Sequence, residues 1–157
     1  MAVQNGLGYC MPVAEVCRLR DRYAPEALVH TDTVQALGKI DLPLHDWGVD
    51  LASFSAHKIG GPKGIGALYV KRGTKMFTTA FGGGQERGLR SGTEAVFLIV
   101  GFAEAMRLTY RSREADNEAM RNIWHYTVKR LREEIPSVII NLAKMVLLIF
   151  ATSAFLV

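Results

Sequence analysis

The chemistry in this chain concentrates in one string, Ser53-Phe54-Ser55-Ala56-His57-Lys58-Ile59-Gly60-Gly61-Pro62-Lys63-Gly64-Ile65-Gly66. It reads as a strand that delivers a hydroxyl, an imidazole and an amine to its carboxyl end. Glycines follow, and these let backbone approach a ligand closely. A nucleotide-binding P-loop is excluded, because that motif needs Ser or Thr directly after its lysine. Here Ile59 follows Lys58 and Gly64 follows Lys63. A bare Gly-Pro-Lys-Gly segment is also compatible with an ordinary turn between two strands, its lysines solvated. The company of Asp32 and Gln35 argues for more. A cofactor carried as a Schiff base needs a lysine amine that can shed its proton. It also needs an acid opposite its pyridine nitrogen, and hydroxyls or backbone N–H groups for its phosphate. Lys58 and Asp32 are candidates for the first two roles.

These groups need elements to hold them. Pro12 opens a helical pattern in which Val13, Val16, Cys17 and Arg20 recur at three- and four-residue spacing. Residues 27–30 read as a short strand ending at Thr31-Asp32, and 35–37 as a brief helical turn. A loop through Pro43 and Trp47 leads to a second strand at 50–55, and 66–70 make a third. Short apolar strands alternating with helices predict an α/β layer structure. In such a sheet ligands bind outside the carboxyl ends of the strands, where Asp32 and Ser55 to Lys58 fall. From Thr93 the pattern turns helical, with Thr93 as a candidate N-cap and Glu94 at the positive end of the helix dipole. Val96, Ile99, Val100, Ala103 and Met106 form its expected apolar face. A second helical stretch is expected at 114–134, ended by Pro136.

Composition narrows the classes. With 157 residues, 49% hydrophobic and 22% charged, the chain is long enough for one globular core. The net charge of +4 comes from scattered Lys and Arg without a dense basic block, so nucleic-acid binding is not expected. Cys10 and Cys17 form neither a CxxC pair nor a zinc half-site. Seven apart on a helix they would share one face as small buried residues, consistent with a reducing cytoplasmic setting. Residues 138–157 are almost entirely apolar, but Lys144 would be costly at bilayer depth and 145–157 is short for a span. A membrane role is therefore not expected.

Three segments resemble the cysteine desulfurases, which are class V aminotransferase-like enzymes of the pyridoxal 5'-phosphate (PLP) fold type I group. They are His30-Thr31-Asp32-Thr33-Val34-Gln35, the Ser53 to Gly66 string, and Gly82-Gly83-Gly84-Gln85-Glu86-Arg87-Gly88-Leu89-Arg90-Ser91-Gly92-Thr93. The likeness runs over about residues 3–108. It implies a mixed, mostly parallel sheet flanked by helices and followed by a long helical segment. It implies that Lys58 holds PLP, that Asp32 pairs with the ring nitrogen and that Gln35 meets the ring hydroxyl. Ser55 and His57 would contact the phosphate, and Asn5 would lie near ring and substrate. Thr93 would reach the phosphate in a partner subunit, which implies a homodimer. L-cysteine would be the substrate, alanine the product, and a sulfur-acceptor protein a further partner, serving iron–sulfur cluster assembly or tRNA thiolation.

The chain also departs from the family pattern. Gln4-Asn5-Gly6 stands where the family usually has Asn-Asn-Glu. Neither cysteine sits at the position of the family's sulfur-accepting one, and the N-terminal phosphate loop has no counterpart here. The chain thus reads as a fragment: 1–108 a partial PLP-binding large domain, 109–136 a helical segment leading toward a small domain, and 137–157 an apolar tail. His30, His45 and His125 match no functional position and are expected to pack or to face solvent. A non-catalytic remnant, a selenocysteine lyase and a related class V aminotransferase are the other readings.

Overall fold

A computed structural model describes residues 1–140 and the backbone of 155–156. Most of the apolar tail expected at 137–157 lies outside the described residues. The central feature is a three-stranded mixed sheet in the order β1-β2-β3. Strand β1 (His30–Asp32) runs parallel to β2 (Leu51–Ser55), with Asp32 opposite Ser53. Strand β3 (Gly66–Val70) returns antiparallel to β2, with Ser55 opposite Gly66. Helix α1 (Val13–Tyr23) precedes β1, a short helix α2 (Leu44–Trp47) lies between β1 and β2, and α3 (Val96–Glu134) follows β3. Two-residue strands β4 (Ile139–Ile140) and β5 (Phe155–Leu156) pair with each other. The expected α/β class with a mixed sheet and a long helix is what the chain forms.

Strand alternation divides the sheet into a packed and an open face. Thr31 and Ala52 are buried on one side. Ala52 joins Val13, Cys17, Ala36, Leu44 and Val49 in the main core. Val13 and Cys17, four apart on α1, supply the helical half of that contact. A second cluster of Leu37, Ala56 and Phe102 attaches α3 to the turn that follows β2.

Several elements differ from their sequence expectation. Strand β1 begins at His30 rather than at 27, because the Val29 N–H is taken by the Asp50 carboxylate at 2.9 Å instead of a ladder partner. Trp47 belongs to α2 and not to a loop. Cys10 is not on α1; it bridges to Val3 and is half-buried, while Cys17 is fully buried. Helix α3 is one continuous element of 39 residues rather than two stretches. No Pro interrupts it and its last Gly is Gly101, so nothing stops propagation until Ile135-Pro136. It starts at Val96 with Ala95 in the cap position, so Thr93 does not cap it. Its expected apolar face is the exposed one, with Val96 at 65% and Val100 at 61% exposure, whereas Phe102 and Ala105 are buried. Periodicity reveals an apolar stripe but not which stripe finds a partner.

Candidate active site

The carboxyl edge of the parallel pair gathers most of the predicted groups. Asp32 is the last residue of β1, and its Oδ1 accepts the Val34 N–H at 2.8 Å, a local turn that pins the carboxylate at the strand end. Thr33 N–H and Oγ1 both donate to the Ser53 carbonyl, at 3.0 and 2.6 Å, and carry the pairing one step past the ladder. Ser55 ends β2, and its hydroxyl lies 2.7 Å from His57 Nδ1. A single 3-10 turn, Ala56–Ile59, then presents His57 and Lys58 to solvent. That turn is closed by Gly61, whose N–H donates to the Ala56 carbonyl at 3.0 Å. A Cβ at Gly61 would stand 2.9 Å from the same oxygen, which is why glycine is needed there.

The remaining predicted residues divide. Gln35 sits half-buried in the run of turns directly after Asp32. Asn5 lies exposed in the turn at 5–7, and that turn is tied to the site edge because Ala2 N–H donates to the Asp32 carbonyl at 2.6 Å. Where the resembled pattern has an acid, Gly6 leaves room for Gln4, whose Oε1 accepts the Leu7 N–H at 2.5 Å. Thr93 is exposed between the Gly-rich loop and α3. No hydrogen bond joins it to the Lys58 turn among the described residues. In the Gly-rich loop, Gln85 Oε1 accepts the Gly92 N–H at 3.0 Å and Thr78 Oγ1 donates to the Gly88 carbonyl at 2.8 Å.

Two groups at this edge have no site role in the sequence reading, which left His30 to packing or solvent. His30 Nε2 lies 2.7 Å from Ser53 Oγ, and strand alternation with the observed register places His30, Asp32, Ser53 and Ser55 on one face. The signal was available, since His30 stands two residues before Asp32 in a strand of period two. Lys39 is the other. Its ammonium donates to the Gln35 carbonyl at 3.1 Å. Burial, and then the charge of Lys58, push its pKa below the ordinary lysine value. Two mutually repelling cations, Lys58 at the edge that carries Asp32, Ser55 and His57 and Lys39 close enough to feel its charge, suit an anion such as a phosphate ester. The placement of Lys39 within the field of Lys58 depends on the turn at 34–39, which sequence spacing does not specify. No group of acidic, His or Cys side chains among the described residues is arranged to hold a metal ion.

Comparison with known proteins places the chain in a family. Residues 1–145 match the family model described as aminotransferase class-V. Cysteine desulfurase IscS of Clostridium botulinum is 39% identical over 144 residues, covering 90% of this chain and 35% of the relative. The mitochondrial cysteine desulfurase of Arabidopsis thaliana is 42% identical over 144 residues, covering 90% and 31%. Among solved structures, a NifS-like protein superimposes with a TM-score of 0.79 at 40% identity, over 89% of this chain and 38% of that one. A NifS-like protein from Rickettsia africae gives 0.82 at 31% identity, over 94% and 40%. The chain spans about a third of the length of the curated relatives it matches.

Proposed function

The chain belongs to the class-V aminotransferase family, and from that premise we propose that it carries the cofactor-lysine site of a cysteine desulfurase acting on L-cysteine. One observation carries the reading: Asp32 and the Ser55–His57–Lys58 group end two parallel strands in a shared register, at one edge of the sheet. Relatives of 39–42% identity bear the name cysteine desulfurase. Enzymes of this family use PLP, and the side chains present fit it. The fit is one of donor chemistry: an exposed primary amine, a pinned carboxylate, and a hydroxyl–imidazole pair beside a second cation.

Lys58 holds the cofactor through its amine. The Asp32 carboxylate keeps a proton on the ring nitrogen, and Gln35 and Asn5 orient the ring and the substrate. Ser55 and His57 hold the phosphate, with the positive field of Lys39 in support. When bound, the cofactor withdraws electron density from the amino-bearing carbon of the substrate, and this weakens the bonds around that carbon. Neither thiol described here is the sulfur acceptor in this reading. Burial pushes both Cys10 and Cys17 up, away from the thiolate form that sulfur transfer needs. The reading extends to a homodimer in which Thr93 reaches the partner's cofactor, to a sulfur-acceptor protein, and to a cytoplasmic setting supported by the unbonded cysteines.

Titration of the purified chain with PLP tests the proposal. The expected result is a visible absorption band from the lysine-bound cofactor, absent in Lys58→Ala and retained in Lys39→Ala. L-cysteine should then perturb the band more strongly than L-alanine, with selenocysteine run alongside. A band indifferent to L-cysteine but responsive to a different amino acid would move the chain to another branch of the family.

A further inference from the structure

Helix α3 turns one polar row toward both turns of the site. Thr109, Arg113 and Asn117 are four residues apart and therefore stacked on one face. Thr109 Oγ1 donates to the carbonyl of Ile59, the residue after Lys58, in a long hydrogen bond of 3.4 Å. On its other side, the Thr109 methyl fills the space over Gly38: a Cβ built there would land on Thr109 Cγ2. Further along, Arg113 Nη1 pairs with Asp41 Oδ1 at 2.5 Å and Asn117 Nδ2 donates to the Lys39 carbonyl at 2.8 Å. Lys39 closes the circuit by donating to the Gln35 carbonyl. One side chain thus spans from the turn that carries Lys58 to the turn that carries Gln35.

The choice of residue fits that duty. Thr109 is half-buried, while Leu108 and Tyr110 beside it are 49% and 44% exposed. Threonine is a poorer helix former than alanine, so in mid-helix its hydroxyl and methyl have to serve through contacts. Gly38 holds φ at +73°, a conformation that only glycine adopts freely, and the absence of its Cβ admits the threonine.

We propose that Thr109 is a positioning residue which fixes the Lys58 turn relative to the Gln35 turn. It thereby sets where the cofactor lysine stands against the groups that orient the ring. The proposal rests on Lys58 being the cofactor lysine, as argued above. Small misplacements of reacting groups are expensive, up to about 100-fold for about 1 Å, so a contact remote from the chemistry can still govern it.

The test uses the full chain with Thr109→Val, which keeps the shape and loses the donor, and Thr109→Ser, which keeps the donor. Without ligand, amide hydrogen exchange should quicken about fivefold or more over 33–41 and 56–61 in Thr109→Val. The Val29 and Leu51 amides, at the far end of the sheet, should keep their parent rates. With PLP, the dissociation constant should rise about tenfold and the pH midpoint of the visible band should move, both restored within about twofold by Thr109→Ser. Unchanged exchange at both turns, or equal acceleration at Val29 and Leu51, would overturn the proposal. So would parent-like cofactor affinity and pH midpoint in Thr109→Val. A parent chain that takes up no PLP would sink the function proposed above, and the exchange rates would then decide whether Thr109 couples the two turns.

Discussion

The two ends of the β1–β2 pair use charge in opposite ways. At the amino end, Arg20 makes four hydrogen bonds: it donates to Asp50 at 2.5 Å, to the Ala27 carbonyl at 2.7 Å, to the Gly48 carbonyl at 2.9 Å and to Asp21 at 2.7 Å. Asp50 also accepts the Val29 N–H and lies 3.8 Å from Lys71. Burial alone would raise the Asp50 carboxyl, but the hydrogen bonds from Val29 and Arg20 outweigh it and hold the group below its ordinary value. At the carboxyl end, Asp32, His57 and Lys58 stay exposed, and the side-chain hydrogen bonds of Asp32 and His57 reach only two residues along the chain. The first end spends its charges on joining α1, α2, β1, β2 and β3. The second keeps them presented to a ligand. The same strands thus separate stability from chemistry by about the length of one strand.

That contrast can be broken most forcefully at the amino end. Arg20→Met strands a carboxylate whose side chain is only 9% exposed, at an expected cost of about 3–5 kcal/mol in denaturant unfolding. Lys58→Ala, at the exposed end, should change stability by less than about 0.5 kcal/mol while abolishing the visible cofactor band. If Lys58→Ala unfolded the chain as Arg20→Met does, the division of labour would fail.

The sequence carried the site further than it carried the supports. The positions of Asp32 and Ser55 are legible because each closes a short strand, with His57 and Lys58 within three residues of Ser55, and strand ends are local events. The Arg20–Asp50 clamp joins residues 30 apart, and no spacing rule marks such a pair. Helix α3 shows the limit most clearly. Its expected face, with Val96 and Val100, is exposed, and the residues that dock are Phe102, Ala105 and Thr109. Which stripe is covered depends on Leu37 and Ala56 arriving from distant turns.

Intermediate effects sharpen the comparison. Asp50 has a lowered folded pKa, so its contribution to stability is fully present above the unfolded value of about 4 and is lost as pH falls through the folded value. Asp50→Asn should therefore flatten the acid limb of a stability-versus-pH curve. At the other edge, His57→Ala should weaken PLP binding about tenfold through loss of the phosphate contact proposed for it, with unfolding midpoints close to those of the parent. A stability loss as large as that of Arg20→Met would show His57 to be a structural group.

The smallest effect belongs to the buried face between the two ends. Thr31 Oγ1 is buried without a hydrogen-bond partner among the described residues. Thr31→Val keeps the β-branched shape and removes that burden, so it should raise stability by about 1 kcal/mol in a thermal melt. A loss of stability would mean that the hydroxyl has a partner in the assembled protein.

Lys58, at the open end, is proposed as the amine that holds the cofactor. Borohydride reduction of the PLP-treated chain, followed by peptide mapping in a mass spectrometer, tests it residue by residue. The expected result is one pyridoxyl group, on the peptide carrying Lys58. A group on Lys39, whose lowered pKa makes it the natural competitor, or one spread over the exposed lysines, would contradict it.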